Sequence, residues 1–384
     1  MFVTYLKYRQ SCELTYNGYV KNMKYLASLF VVISLFFAPS SEAVEYRLVK
    51  ITDELNMPWG LAFLPDGDLL VTELSGSLRR VSDGEVSNPI GNVPAVLSDG
   101  QGGLMDIALH PDFPSNKLIY LTYAAGTPAA NYLVLMRARL TGDHLEKVET
   151  LYQTQARARP VHYGGRLVFL NDNTLILTHG DAFDEREKAQ DLQSSTGKIL
   201  RLTETGNVPT DNPFVKQSGV LPEIFSYGHR NPQAVVYDPV ADRIYTHEHG
   251  ARGGDELNLM RPGANYGWPA ITYGVDYTGA KISPYTALPG MEQPLTYWDP
   301  SIAPSGMTVY HGDMFPEWQG DIFITSLRYK NVYHIDMNDG LPGAQQTLFE
   351  DINERLRDIR TAPDGSLYIL AEGKNGTIWQ VLRK

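Results

Sequence analysis

Cysteine is nearly absent: 384 residues hold one, Cys12. It lies in an N-terminal stretch that reads as a removable leader, so the mature chain is expected to hold none. That excludes a thiol nucleophile, a disulfide framework and a cysteine-ligated zinc site. The one pronounced apolar run, residues 26–38 (LASLFVVISLFFA), has 13 residues, where a bilayer span needs about 20. Lys21 and Lys24 precede it and Ser41-Glu42-Ala43 follows, the pattern of a secretory signal cut after Ala43. Met23 is the expected start, with residues 1–22 an upstream extension; the competing reading is a retained membrane anchor. After cleavage no stable membrane insertion is expected, and an exported chain without cysteine fits the periplasm. Net positive charge is also missing. The chain carries −11, and loss of the four basic and two acidic residues of 1–43 leaves −13. That excludes nucleic acid as a partner. It suits a small neutral ligand or a cation held by carboxylates, although solubility alone would also account for it. There is no Gly-x-Ser-x-Gly elbow, phosphate-binding loop, EF-hand or zinc-spaced histidine pair.

What is present is a loose repeat. Each copy has an apolar strand, a turn with Asp, Gly or Pro, a second apolar strand and a return. The copies open at WGLAFLPDGDLLVT (from Trp59), MDIALHPDF (Met105), GRLVFLND (Gly165), AVVYDP (Ala234), GMTVY (Gly306) and IRTAPDGSLYIL (Ile359). Turn signals such as Pro65-Asp66-Gly67 and Pro363-Asp364-Gly365 separate the strands. Six copies of a three- or four-stranded unit, without helical periodicity between them, predict an all-β fold, a six-bladed β-propeller over residues 44–384. A two-sheet sandwich is the competing fold. The strand at residues 44–49 is expected to pair into the last blade and close the ring, removing sheet edges. Residues 274–304 read as an insertion between blades four and five.

Propellers bind ligands in the funnel over the axis, so polar residues at equivalent strand ends are the candidates. The stretch 226–268 (SYGHRNPQAVVYDPVADRIYTHEHGARGGDELNLMRPGANYGW) carries such groups at both ends of one strand pair. His162, beside glycines before blade three, is a candidate general base near neutral pH. Gln101 holds the equivalent place before blade two, Arg230 and Asn231 before blade four, Arg355 and Arg357 before blade six; Arg328 follows a blade-five strand. Arginines converging on a funnel in an acidic protein point to an anionic ligand with several carboxylates. Gly253-Gly254-Asp255-Glu256 with Tyr266 offers the oxygen donors and permissive turns of a Ca²⁺ site. Each residue alone is also compatible with an ordinary surface or loop position.

Taken together, DGQGGL…ALHPDF, HYGGRLVF, AQDL…GKILRL, SYGHRNPQ, EHGARGGDELN…NYGWP, APSGM and RLRDIRTAPDG resemble the soluble pyrroloquinoline quinone-dependent sugar dehydrogenases, most closely the bacterial aldose sugar dehydrogenase branch. The resemblance runs in order over residues 45–384 and implies a six-bladed propeller that oxidises aldoses at the anomeric carbon to lactones. It implies that His162 is the base; that Gln101, Gln190, Arg230, Asn231, Arg328, Arg355 and Arg357 contact the quinone; that Tyr273 and Tyr277 lie in a loop lining it; that Glu256 and Tyr266 hold a structural Ca²⁺; and that the Gly250-Ala251 carbonyls help hold a second. Arg230 would share in polarising the acceptor. The implied partners are a small aldose and an unidentified electron acceptor, in a monomer or homodimer. Val161 stands where the glucose dehydrogenase branch has an acid before the base, Arg328 where it has lysine, and the funnel loops look shorter; broad aldose use is therefore expected over strict glucose use. The competing functions are a Ca²⁺-dependent propeller hydrolase such as a lactonase, and a non-catalytic binding propeller.

Overall fold

The computed structural model describes residues 44–384. The expected leader, the start at Met23 and the cleavage after Ala43 lie outside the described residues. Six four-stranded antiparallel sheets account for the strands of the described residues. Their innermost strands are Pro58–Phe63, Leu104–Leu109, Leu167–Phe169, Pro232–Asp238, Pro304–Val309 and Leu356–Thr361, here blades one to six. The outermost strand of blade six comes from the other end of the chain. Tyr46–Leu55 pairs with Gly376–Arg383, Tyr46 opposite Arg383 and Leu48 opposite Val381. Among the described residues no helix is long and apolar enough to cross a membrane.

Each blade is buried on both faces, so its inner strands read as continuous apolar runs rather than strict alternation. Leu69–Glu73 is buried throughout, as are Thr174–His179 and Ile322–Ser326. Apolar clusters fill the gaps between blades. Leu70 and Leu78 of blade one meet Ile107, Leu121 and Met136 of blade two, while Leu61 and Val71 meet Leu370 and Ile378 of blade six.

The insertion is placed differently from the sequence expectation. It lies inside blade four, between Asp255–Leu259 and the outer strand Thr296–Trp298, which pairs with it. Three residues are too few to show a strand period.

Five of the six innermost strand pairs carry a β-bulge near the start, a feature that re-aims side chains. Near the start of the innermost pair, a buried threonine on the second strand stitches blades together. Thr122 Oγ1 accepts from Asp106 N (2.9 Å) and donates to Gly165 O of blade three (2.6 Å). Thr178 accepts from Arg166 N (3.0 Å) and donates to Pro232 O of blade four (3.3 Å). Thr72 does the same between blades one and two.

The axis is filled by charge. Arg166, from blade three, is 2% exposed. Its guanidinium lies over the Trp59 ring of blade one at 3.9 Å and meets Asp106 of blade two at 3.4 Å. It also donates to Gln233 O of blade four, Ser305 O of blade five and Arg357 O of blade six, and meets Asp358 at 3.3 Å. Arg360 bridges the same two carboxylates at 2.9 and 3.0 Å. Gly60 and Gly306 make the space, since a Cβ there would stand 2.8 Å from Asp106 Oδ1 and 2.7 Å from Asp358 Oδ1. Removing one partner of a buried ion pair typically costs about 3–5 kcal/mol. Arg166→Met is expected to lose stability of that order in equilibrium urea unfolding; a loss below about 1 kcal/mol would show the axial pairs to be dispensable.

Candidate active site

His162 is buried, and its backbone is left-handed at φ +50°, an uncommon state for a residue with a Cβ. Three contacts hold it there. Its N–H donates to Gln101 Oε1 (2.7 Å), Arg157 Nη1 donates to its carbonyl (3.0 Å), and its Nδ1 meets Asp181 Oδ1 (2.7 Å). Asp181, on the loop after the second strand of blade three, is fully buried. Its carboxylate also accepts from Phe183 N and Trp268 Nε1, both at 2.8 Å. Although burial pushes its pKa up, the His162 bond and neighbouring charges hold it below the usual carboxylate range. Asp181 is therefore an ionised acceptor that fixes the Nδ1–H tautomer, leaving Nε2 as the basic nitrogen. Burial lowers the His162 pKa, helped by Arg230 and Arg157 and opposed by Asp181. Asp181 was missed in the sequence. Its signal is the Gly180-Asp181 pair ending a blade strand, but nineteen residues separate it from His162.

A cleft of about 390 Å³ opens beside this histidine, lined in part by Phe183, Arg230, Ala251, Trp268 and Tyr277. The Phe183 ring stands edge-on to His162 (5.3 Å) and stacks with Tyr277 (6.0 Å). Arg230, buried, donates to His249 O at 3.0 Å.

A chain of contacts joins the blade-four and blade-six candidates. Asn231 Oδ1 accepts from Gln233 Nε2 (3.2 Å), and Gln233 Oε1 accepts from Arg357 Nη1 (3.4 Å). Arg357 and Arg355 both grip Glu372. Burial raises the Glu372 pKa, but the two guanidiniums bring it below the usual range. Glu372 is a second residue not foreseen, fifteen positions from Arg357. Arg355 also donates to Leu327 O (3.3 Å), beside Arg328, which is exposed and bonded to Ser301 O at 3.0 Å.

Two expected residues are directed elsewhere. Tyr273 stacks on Tyr297 of the outer strand of blade four (3.9 Å) and donates to Gln293. That strand was unforeseen, and it gives the ring an apolar partner outside the cleft lining. Gln190 uses both amide atoms to hold the turn beneath Trp268, bonding Asn265 and Trp268 O at 2.8–2.9 Å.

Next to Arg230 a small cavity is bounded by Glu248, Gly250, Gly254, Glu256 and Tyr266. Glu248 and Glu256 are direct cross-strand partners. Burial and the Glu248 charge push the Glu256 pKa up to about 8. The Tyr266 hydroxyl is committed to Leu259 O (2.6 Å) and Arg261 N (2.9 Å), which leaves its carbonyl as the atom it can offer a cation. A Cβ on Gly250 would stand 2.1 and 2.3 Å from the Gly253 and Gly254 oxygens, so only glycine lets that loop fold so tightly. Glu248 is engaged by His229 Nδ1 (3.0 Å) and Arg230 N, so Glu256 with the nearby backbone oxygens is the carboxylate left to fit a hard divalent ion. A separate trio, Asp321, His334 and Asp336, is internally satisfied: Gln346 meets His334 Nδ1 (2.9 Å) and Asp321 meets Nε2 (2.7 Å).

Asp181→Asn removes the group that raises the His162 pKa. The His162 titration midpoint, read by NMR from the imidazole Cε1–H, is expected to move further down; a rise would contradict this account of the pair.

Comparison with known proteins places this geometry. The family model described as glucose/sorbosone dehydrogenase matches residues 55–380. The aldose sugar dehydrogenase YliI of Escherichia coli is 41% identical over 358 residues, spanning 91% of this chain and 95% of that protein. The crystal structure of the soluble aldose sugar dehydrogenase from Escherichia coli in the apo form superposes with a TM-score of 0.85 at 39% identity, covering 88% of this chain and 100% of that one. The structure of the PQQ-bound aldose sugar dehydrogenase from Streptomyces coelicolor superposes with a TM-score of 0.71 at 29% identity, covering 89% and 99%. The chain therefore belongs to the glucose/sorbosone dehydrogenase family.

Proposed function

We propose that this protein oxidises aldose sugars at the anomeric carbon to lactones, with pyrroloquinoline quinone as hydride acceptor and Ca²⁺ as second cofactor, after export to the periplasm. The observation that carries the reading is the His162–Asp181 pair, with a fixed tautomer, beside a cleft whose lining includes Arg230 and Trp268. When bound, the quinone would supply the electrophile that takes a hydride, that is, both electrons of the oxidation. Its three carboxylates match the donor set of Arg230, Arg328, Arg355 and Arg357, with Gln101 and Asn231 as neutral donors. Ca²⁺ would be held at Glu256 and the Tyr266 carbonyl, and a second ion near the Gly250 and Ala251 carbonyls.

The residues of the chain have defined tasks. His162 Nε2 takes the proton of the anomeric hydroxyl, and Asp181 stabilises the imidazolium that forms. Arg230, in the cleft lining, would place its positive charge beside a bound acceptor. Trp268, Phe183 and Tyr277 give the cleft aromatic walls. Val161 puts an apolar side chain before the base, which supports tolerance among aldoses. A lactonase-type site would need free carboxylates on the axis; Asp106 and Asp358 are both engaged by Arg166 and Arg360.

Residues 44–384, supplied with Ca²⁺ and pyrroloquinoline quinone, are expected to reduce an artificial dye with a panel of aldoses, and chelator should abolish this. His162→Ala should lower kcat by about 10²–10⁴ with quinone binding kept. Arg357→Ala should raise the quinone Kd about ten- to hundredfold. Wild-type activity in both variants would put the site elsewhere. Ca²⁺ at about a hundred times its Kd should add about 2.7 kcal/mol of stability, seen as a raised Tm, and Glu256→Gln should remove most of that gain; an equal gain in the variant would place the ion elsewhere.

A further inference from the structure

Arg157 lies five residues before His162, on the linker between blades two and three, and is 3% exposed. Its backbone pairs with Asn131 in both directions, at 2.8 and 2.9 Å. Its guanidinium stacks on the Tyr163 ring at 4.1 Å, and the Tyr163 hydroxyl donates to Asn131 Oδ1 (2.7 Å), closing a small cage. The single polar contact of the guanidinium is Nη1 to the His162 carbonyl, at 3.0 Å; Nε and Nη2 are buried without a partner. Among the described residues no carboxylate lies within ion-pair distance of it. A buried arginine ordinarily has an acid beside it. This one is turned instead on the backbone of one strained histidine.

We infer that Arg157 is a positioning residue for His162: it clamps the His162 carbonyl, holds the left-handed backbone that aims the ring, and sets an unpaired positive charge behind the imidazole. Gln101 grips the N–H side of the same residue, so peptide groups on both sides of the strained position are held. The inference rests on the reading of His162 as the base. The charged groups that bear on the ring are Asp181, Arg230 and Arg157; His249 is the neighbouring titratable group, and burial keeps it neutral. Asp181 favours the protonated ring and the two arginines oppose it. Arg157 thus helps keep the base unprotonated while Asp181 orients it, and the two effects together leave a neutral, correctly tautomeric imidazole.

The test uses the full protein with ¹³C-labelled histidine, and the His162 signal is assigned from His162→Gln. In Arg157→Gln the His162 titration midpoint should move up, corresponding to a gain in proton affinity on the order of threefold to tenfold. The acidic limb of the kcat/KM pH profile should move with it. Arg157→Lys keeps the charge but cannot both cover the Tyr163 ring and reach the carbonyl. It should keep the wild-type midpoint and lose kcat at least about fivefold, with KM for the aldose within about twofold. An unmoved midpoint in folded Arg157→Gln overturns the electrostatic role, and unchanged kcat in Arg157→Lys overturns the clamp. Should Arg157→Gln not fold, Arg157→Lys alone decides the clamp. A midpoint that moves in a protein without aldose oxidation upholds the positioning and removes the catalytic reading instead.

Discussion

The fold depends on one guanidinium. Arg166 reaches from blade three to groups on every other blade, and no other described side chain touches all of them. Such contacts require the six innermost strands to converge on one centre. A buried charge is costly unless fully paired, and here the pairing is balanced: two arginines, Arg166 and Arg360, share two aspartates, Asp106 and Asp358. Any change in blade number or register would strand at least one of these charges in the interior. The apolar gaps between blades supply most of the burial, but they would tolerate small shifts. The axial charges would not, so they specify the ring while the apolar clusters stabilise it. Closure by Tyr46–Leu55 completes the condition, because it gives blade six its fourth strand from the opposite end of the chain.

The filled axis bears on the site. A propeller whose channel is plugged can admit ligands only at its mouth, where loops from successive blades meet. His162, Arg230, Asn231 and Arg357 all precede or open innermost strands, and the ring brings them together although almost two hundred residues separate the first from the last. His162 itself is held in a backbone state that a non-glycine residue seldom adopts, and residues in such states persist only where their surroundings over-determine them. The surroundings here are specific: Gln101, Arg157 and Asp181 take three different atoms of the one residue. Gly180 completes the fit, since a Cβ there would stand 2.3 Å from the His162 oxygen.

The fold was legible in the sequence because its signals are local. Turns such as Pro65-Asp66-Gly67 and paired apolar runs recur from blade to blade, and the buried threonines on many second strands (Thr72, Thr122, Thr178, Thr325) form a further mark of the repeat. Elements without a local signal were misread. Thr296–Trp298 is too short to show a period, so an insertion within blade four looked like a linker between blades. The candidate site was legible where residues sit at repeat-equivalent positions, as His162 and Arg230 do. It was illegible where a role depends on a partner far along the chain. Asp181, Glu372 and Arg166 belong to that class; each looks unremarkable until folding brings its partner within 3.5 Å. Tyr273 shows the converse, since a loop position alone could not reveal that Tyr297 would claim the ring.

Glu372 bears on why a strongly acidic protein concentrates arginines at one place. Three or four unpaired guanidiniums in a funnel would repel one another and sample many rotamers. Glu372 lies between Arg355 and Arg357, cancels one of their charges and fixes both side chains; Gln233 and the Leu327 carbonyl each hold one further donor. Ordering a long side chain at a binding site costs about 0.5–1.5 kcal/mol, and here that loss is taken on folding rather than on binding. The residual charge of the trio is still positive, so it would attract an anion, but to donors already in place. The same economy governs His162, whose ring, carbonyl and N–H are each fixed by a neighbour. In both halves of the funnel the groups that would meet a ligand are held by residues that would not, and orientation is settled before any ligand arrives.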